Sequence, residues 1–293
     1  MTRLLSSRQR GALLVVGCAL LLSACGTQEQ PPPPASTVTR MVSLGDSYAA
    51  GPGISPVADP VCFRSAANYA ALAAEELGVL DREDVTCGGA TTANLVRSQE
   101  HDGGAINQPQ LSAVDASTDL VTLGIGLNDS GLSVTLLYVC LPALNQQEAC
   151  QKYLATPDRV LHKALAQVVR QVRLSLTSIK ERAPKATVIL VGYPHMLPDQ
   201  GACPDKLPLD GKSATRLRWV LRQVNADYRK VAADLGVSYL DMYTASAGHD
   251  VCSTSPWVNG VKNGGANGAP LHPTPAFERA VAERIVAVAR GAS

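Results

Sequence analysis

Arg40-Met41-Val42-Ser43-Leu44 is a short apolar run that stops at Gly45, and Asp46-Ser47-Tyr48 follows directly. It reads as a strand closed by a turn. Four later runs, 84–87, 119–125, Thr187–Val191 and 237–240, read the same way, and 119–125 is the strongest buried strand. Between them the apolar spacing becomes helical. Residues 68–77 form one such segment, stopped by Gly78. Asp158–Arg182 is a long amphipathic helix, with Val160, Leu161, Ala164, Leu165, Val168, Val172, Leu176 and Ile179 on one face and Pro184 beyond its end. Residues 214–235 are helical up to Gly236, and 274–289 close the chain. Strands alternating with helices imply an α/β fold with a parallel sheet. Sites in such sheets form beyond the carboxyl ends of the strands, so the residues just after each strand matter most.

Those residues are Gly45-Asp46-Ser47-Tyr48, then Gly88-Gly89-Ala90-Thr91-Thr92, then Gly126-Leu127-Asn128-Asp129; His272-Pro273-Thr274 stands before the last helix. One rim can therefore gather a hydroxyl, a glycine turn, an amide and a histidine. Acyl transfer needs those parts. A serine hydroxyl is a weak nucleophile until a base takes its proton, and histidine suits that task near neutral pH. The tetrahedral oxyanion needs donors, and the Ser47 and Gly89 N–H groups with the Asn128 amide supply three. Each part also has a plain structural use. Ser47 suits a helix N-cap, and Asn128-Asp129 suits a turn or cap. Four other histidines compete with His272. His101 lies in a polar loop, His162 on a charged helix stretch, His195 after a strand, and His249 beside Asp250.

In their order and context these blocks resemble the GDSL/SGNH hydrolase family, above all its exported actinobacterial esterases and lipases. Gly45-Asp46-Ser47 is similar to the nucleophile block and Cys87-Gly88-Gly89-Ala90-Thr91 to the oxyanion-glycine block. Gly126-x-Asn128-Asp129 and His272-Pro273 are similar to the last two. The resemblance spans residues 41 to about 290. It implies a three-layer α/β/α sandwich around a mostly parallel five-stranded, flavodoxin-like sheet. It also implies a serine carboxylic ester hydrolase working through an acyl-enzyme on Ser47, with His272 as base and no cofactor. Transfer of the acyl group to a sugar or lipid hydroxyl, or an inactive lipid- or glycan-binding lipoprotein, are the alternatives. The family's aspartate three residues before the histidine is replaced by Ala269, its asparagine after His-Pro by Thr274, and its later glycine by Phe277. A backbone carbonyl close to Ala269 is then the expected partner of His272, with Asp250 as the competing acid.

The start of the chain reads as an export leader. Arg3, Arg8 and Arg10 precede the apolar run 11–22, and Leu22-Ser23-Ala24-Cys25 follows. The run is too short to span a bilayer. The ending resembles a lipobox, so 1–24 is expected to be a signal peptide and Cys25 to carry lipid; cleavage without lipid is the alternative. Residues 25–39, with Pro31 to Pro34, form an extended tether. Residues 40–293 remain for the hydrolase domain, expected at the outer face of a bacterial membrane or secreted. Removing three arginines from a net charge of +1 leaves −2, which argues against nucleic acid as a partner. The expected partners are an ester substrate and, through Cys25, a membrane; a monomer is expected.

Cys62, Cys87, Cys140, Cys150, Cys203 and Cys252 follow the leader. An even number in an exported chain suggests disulfides. Sequential pairing is the simplest arrangement, and the resemblance implies it: 62 with 87, 140 with 150, 203 with 252. Zinc-site spacing is absent. Gly124-x-Gly126 fails as a dinucleotide fingerprint at Asp129, and Gly211-Lys212-Ser213 fails as a phosphate loop at Lys206. The stretch 260–268 reads as a flexible loop bordering the site.

Overall fold

The computed structural model describes residues 38–129, 134–262 and 267–291. The leader, Cys25, the tether up to residue 37 and part of the 260–268 loop lie outside them. Alternation of apolar side chains along the strands sets the architecture. Strand β1 (Arg40–Gly45) is followed by the single turn α1 (Ser47–Ala50), hairpin β2 (Val57–Asp59) and β3 (Arg64–Ser65), helix α2 (Tyr69–Leu77) and strand β4 (Asp81–Asp84). A second hairpin, β5 (Gln99–His101) and β6 (Gly104–Asn107), precedes β7 (Leu120–Gly124). Helices α3 (Val134–Cys140), α4 (Gln147–Leu154) and α5 (Asp158–Arg182) lead to β8 (Thr187–Val191). Helix α6 (Gly211–Leu235), β9 (Ser238–Leu240), α7 (Met242–Ala245) and α8 (Pro275–Ala289) complete the fold.

The five long-range strands pair in the order β4-β1-β7-β8-β9, and every pairing is parallel. Val42, Leu44, Val121, Leu123, Val188 and Leu190 point into one core with α5 and α6. Met41, Leu120, Ile189 and Val191 point into the other, with α2 and α8. This period-2 division gives helix layers on both faces of the sheet. Chain direction across the sheet reverses at β1, which has β4 on one side and β7 on the other. Ser47 follows β1 and Asn128 follows β7, so both stand at the switch point where such sheets open a crevice.

The strand expected over 84–87 lies at Asp81–Asp84 instead. It is an edge strand with polar side chains, and the Arg40 guanidinium bonds Asp81 and Glu83, two residues apart, at 2.8 Å each. The apolar signal marks a continuation of the ladder. The Val85 N–H donates to Ser43 O (3.0 Å) and the Cys87 N–H to Gly45 O (3.1 Å), which carries Gly88-Gly89 up to the rim. Helices α3 and α4 were not expected; they are short, and the Cys140–Cys150 disulfide ties them together. Cys62–Cys87 and Cys203–Cys252 form the other two bonds, so the pairing is sequential. Among the described residues no helix is long and apolar enough to cross a membrane.

Helices α2 and α8 meet through a buried acid. Glu278 has no exposed surface, and its Oε2 accepts the Tyr69 N–H at 2.8 Å, at the start of α2. Burial pushes its carboxyl well above the ordinary glutamate value, and the Asp84 charge adds to the effect. The folded chain therefore holds a proton that the unfolded chain has released. Stability from this group is complete below the unfolded value near 4.5 and is lost as pH rises through the raised folded value. Glu278→Gln keeps an acceptor but cannot ionise. In urea unfolding it should cost roughly 1–3 kcal/mol at pH 5, yet lose less than the parent chain between pH 5 and pH 9. Equal losses would contradict a neutral Glu278.

Candidate active site

The end of β1 is built for close approach. A Cβ on Gly45 would lie 2.5 Å from Ala49 Cβ and 2.6 Å from the Gly124 carbonyl, so only glycine lets the chain turn here. Gln110 clamps this glycine from both sides, accepting from its N–H (2.8 Å) and donating to its carbonyl (3.0 Å). Asp46 then caps α1 by accepting the Tyr48 N–H at 2.9 Å. The Tyr193 hydroxyl donates to its other oxygen at 2.5 Å. Burial pushes the Asp46 carboxyl up to about 7, against the lowering effect of these bonds. Tyr193 also accepts the Leu127 N–H (3.2 Å), so the ends of β1, β7 and β8 share one network.

Ser47 opens α1, where Asp46 is the cap and the serine hydroxyl is left for other work. Its Oγ lies 2.9 Å from His272 Nε2. The other ring nitrogen, Nδ1, lies 2.8 Å from the Pro270 carbonyl. With Nδ1 protonated and donating to Pro270, Nε2 is free to accept from the serine. Burial pulls His272 below the ordinary histidine value, and the Pro270 carbonyl offsets part of this. Asp250 is buried, but its carboxylate caps the next turn by accepting the Cys252 N–H at 2.8 Å.

The glycine block and Asn128 border the same cleft. Gly89 has φ +76, a conformation that glycine adopts without cost. Gln99 Nε2 donates to the Gly88 carbonyl at 2.7 Å. A trans peptide directs the Gly89 N–H opposite to that carbonyl, so Gln99 sets its direction. Asn128 gives one amide hydrogen to Ala90 O at 2.8 Å, which fixes the plane of the amide and leaves its second hydrogen. Asp129 has the structural use: it accepts from Thr92 N–H (3.0 Å) and Oγ1 (2.5 Å), tying the β7 turn to the glycine block.

The remaining histidines stand apart from Ser47. His101 is exposed beside Asp102, and His162 sets its ring edge-on to Trp219. His249 stacks on Trp257, and His195 packs on Tyr243. Among the described residues, no three His, Cys, Asp or Glu side chains converge as metal ligands would. Sequence reading did not single out Gln99, Gln110, Tyr48 or Tyr193. Their partners are distant in the chain and leave no local pattern.

The cleft holds about 660 Å³ and is walled mainly by apolar groups: Leu127, Leu137, Leu141, Met196, Leu217 and Leu221 among them. Leu217 and Leu221 are one helical turn apart on α6 and present a single face. A hydroxyl facing an imidazole, at the switch point of a parallel sheet and over an apolar cleft, is the equipment of a carboxylic ester hydrolase. The comparisons agree. The chain belongs to the GDSL-like Lipase/Acylhydrolase family, whose model matches residues 43–280. It is 34% identical to Lipase 2 of Streptomyces coelicolor, over 93% of each chain. It is 32% identical to a lipase of Streptomyces rimosus, over 85% of this chain and 84% of the relative. The crystal structure of the extracellular lipase of S. rimosus superposes with a TM-score of 0.70, covering 86% of this chain and all (100%) of that one, at 29% identity. A phospholipase A1 of Streptomyces albidoflavus superposes at 0.65 with 25% identity, covering 86% of this chain and 99% of that one.

Proposed function

We propose that this protein is an exported serine ester hydrolase that forms an acyl-enzyme on Ser47 and prefers long, uncharged acyl chains. The Ser47–His272 contact of 2.9 Å carries the catalytic reading. His272 Nε2 takes the proton as Ser47 Oγ attacks the ester carbonyl, then returns it to the leaving alcohol. The Ser47 N–H, the Gly89 N–H and the free Asn128 amide hydrogen stabilise the oxyanion. Water, deprotonated by the same histidine, releases the acid and restores the serine. Ser47 and His272 act as a dyad, with the Pro270 carbonyl in the acid's usual place. Export rests on the leader and on the extracellular lipase among the structural relatives. Lipidation of Cys25 rests on the Leu22-Ser23-Ala24-Cys25 pattern and the tether behind it.

The apolar walls support the acyl preference. Each methylene moved from water into such a wall contributes about 0.8 kcal/mol, or roughly fourfold in kcat/KM when fully desolvated. With p-nitrophenyl esters below their critical micelle concentration, kcat/KM should rise from acetyl through at least octanoyl. A maximum at acetyl would contradict the acyl assignment of the cleft.

A further inference from the structure

We propose that Tyr48 is a positioning residue: its hydroxyl straps the histidine-bearing turn to the serine-bearing one and so aligns His272 with Ser47. The proposal rests on the Ser47–His272 dyad and concerns what replaces the absent acid. Tyr48 Oη donates to the Leu271 carbonyl at 2.8 Å, across 223 residues of chain. Its ring lies 5.5 Å from those of both His272 and Tyr193, edge-on to the latter. Burial raises the phenol well above its ordinary value, so it stays protonated and can only donate to a carbonyl.

Leu271 is the residue under load. Its φ is +64, a left-handed conformation that is unfavourable for a side chain branched beyond Cβ. It stands between Pro270, whose carbonyl faces His272 Nδ1, and His272 itself. The dihedral at Leu271 therefore decides whether the Pro270 carbonyl meets the imidazole. Relaxation to negative φ would turn the Pro270–Leu271 peptide and carry the acceptor away. Such conformations persist where the surroundings over-determine them. Here the Tyr48 bond holds the carbonyl of Leu271, and the Ala269 N–H donates to Pro52 O at 2.7 Å on the other flank. Both anchors come from the segment that carries Ser47, so nucleophile and base are held by one stapled unit. An aspartate would orient the ring from its side chain; this chain orients it through backbone held by a phenol.

The test is a double-variant cycle on the exported domain, read by kcat, KM and pH profile with a soluble butanoyl ester. Tyr48→Phe removes one oxygen and keeps the ring. It should lower kcat roughly 10- to 100-fold, leave KM within about threefold, and move the acid limb of kcat/KM to lower pH, because the imidazolium loses its acceptor. Leu271→Gly makes positive φ free of strain. In that background Tyr48→Phe should cost less than about threefold, since the strap has little left to hold. A Tyr48→Phe enzyme with more than half the parent kcat and an unmoved pH profile would overturn the strap. So would an equal loss in both backgrounds, which would mean that Tyr48 acts on substrate or fold. His272→Ala in parallel separates the two readings. If it abolishes activity while Tyr48→Phe does not lower it, the strap alone fails; if it leaves activity intact, the dyad fails and the strap with it.

Discussion

Ser47→Ala lowers kcat for ester hydrolysis by several powers of ten, on the order of 10⁴ to 10⁶, with far-UV circular dichroism and melting temperature unchanged. The reason is local. Ser47 Oγ bonds His272 Nε2, while the cap of α1 is made by Asp46 and not by the serine. Removing the hydroxyl therefore takes away the proposed nucleophile and leaves the helix cap, the Gly45 clamp and the Asp46–Tyr193 bond in place. Substrate binding in the apolar cleft persists, so KM should stay within a few fold. Retention of a tenth of the parent activity would show that another group attacks the ester.

The second large effect separates a dyad from a triad. His272→Ala should remove nearly all activity, roughly 10³-fold or more, whereas Asp250→Asn should change kcat less than about tenfold. Pro270 O is the acceptor for Nδ1 at 2.8 Å, and the Asp250 carboxylate serves the Cys252 N–H. The pH profile carries the same information. The proposed base, His272, must be neutral to accept a proton, so activity should fall as pH drops through its pKa. Burial lowers that pKa, so the acid limb of kcat/KM should lie below the ordinary histidine value of about 6.5. A thousandfold loss for folded Asp250→Asn, measured by steady-state kinetics, would show that Asp250 orients the histidine.

Much of the fold was legible because several elements carried a boundary signal. Gly45 and Gly126 stand where apolar strand runs end, Gly236 caps α6, and the three layers were implied by the family resemblance. Ser47, Gly89 and Asn128 could be picked out as candidates because parallel strands deliver the residues after them to one rim, whereas His272 follows no strand and was picked out by its place before the last helix and by the family resemblance. The β4 register was not, because an edge strand of charged residues draws its pairing from Arg40 and not from burial. The supporting groups were hidden by distance along the chain. Tyr48 meets Leu271, Tyr193 meets Asp46, and Gln110 meets Gly45 only once the sheet has formed. The positive φ of Leu271 had no signal either, since leucine disfavours it and tertiary contacts impose it.

An acyl-enzyme on Ser47 is tested most directly by intact and peptide mass spectrometry after treatment with a fluorophosphonate probe. A single adduct is expected on the peptide that contains Ser47, formed in proportion to loss of ester hydrolysis and absent from Ser47→Ala and His272→Ala proteins. Loss of activity with Ser47 unlabelled, or full labelling of Ser47 with hydrolysis intact, would contradict an acyl-enzyme at this serine.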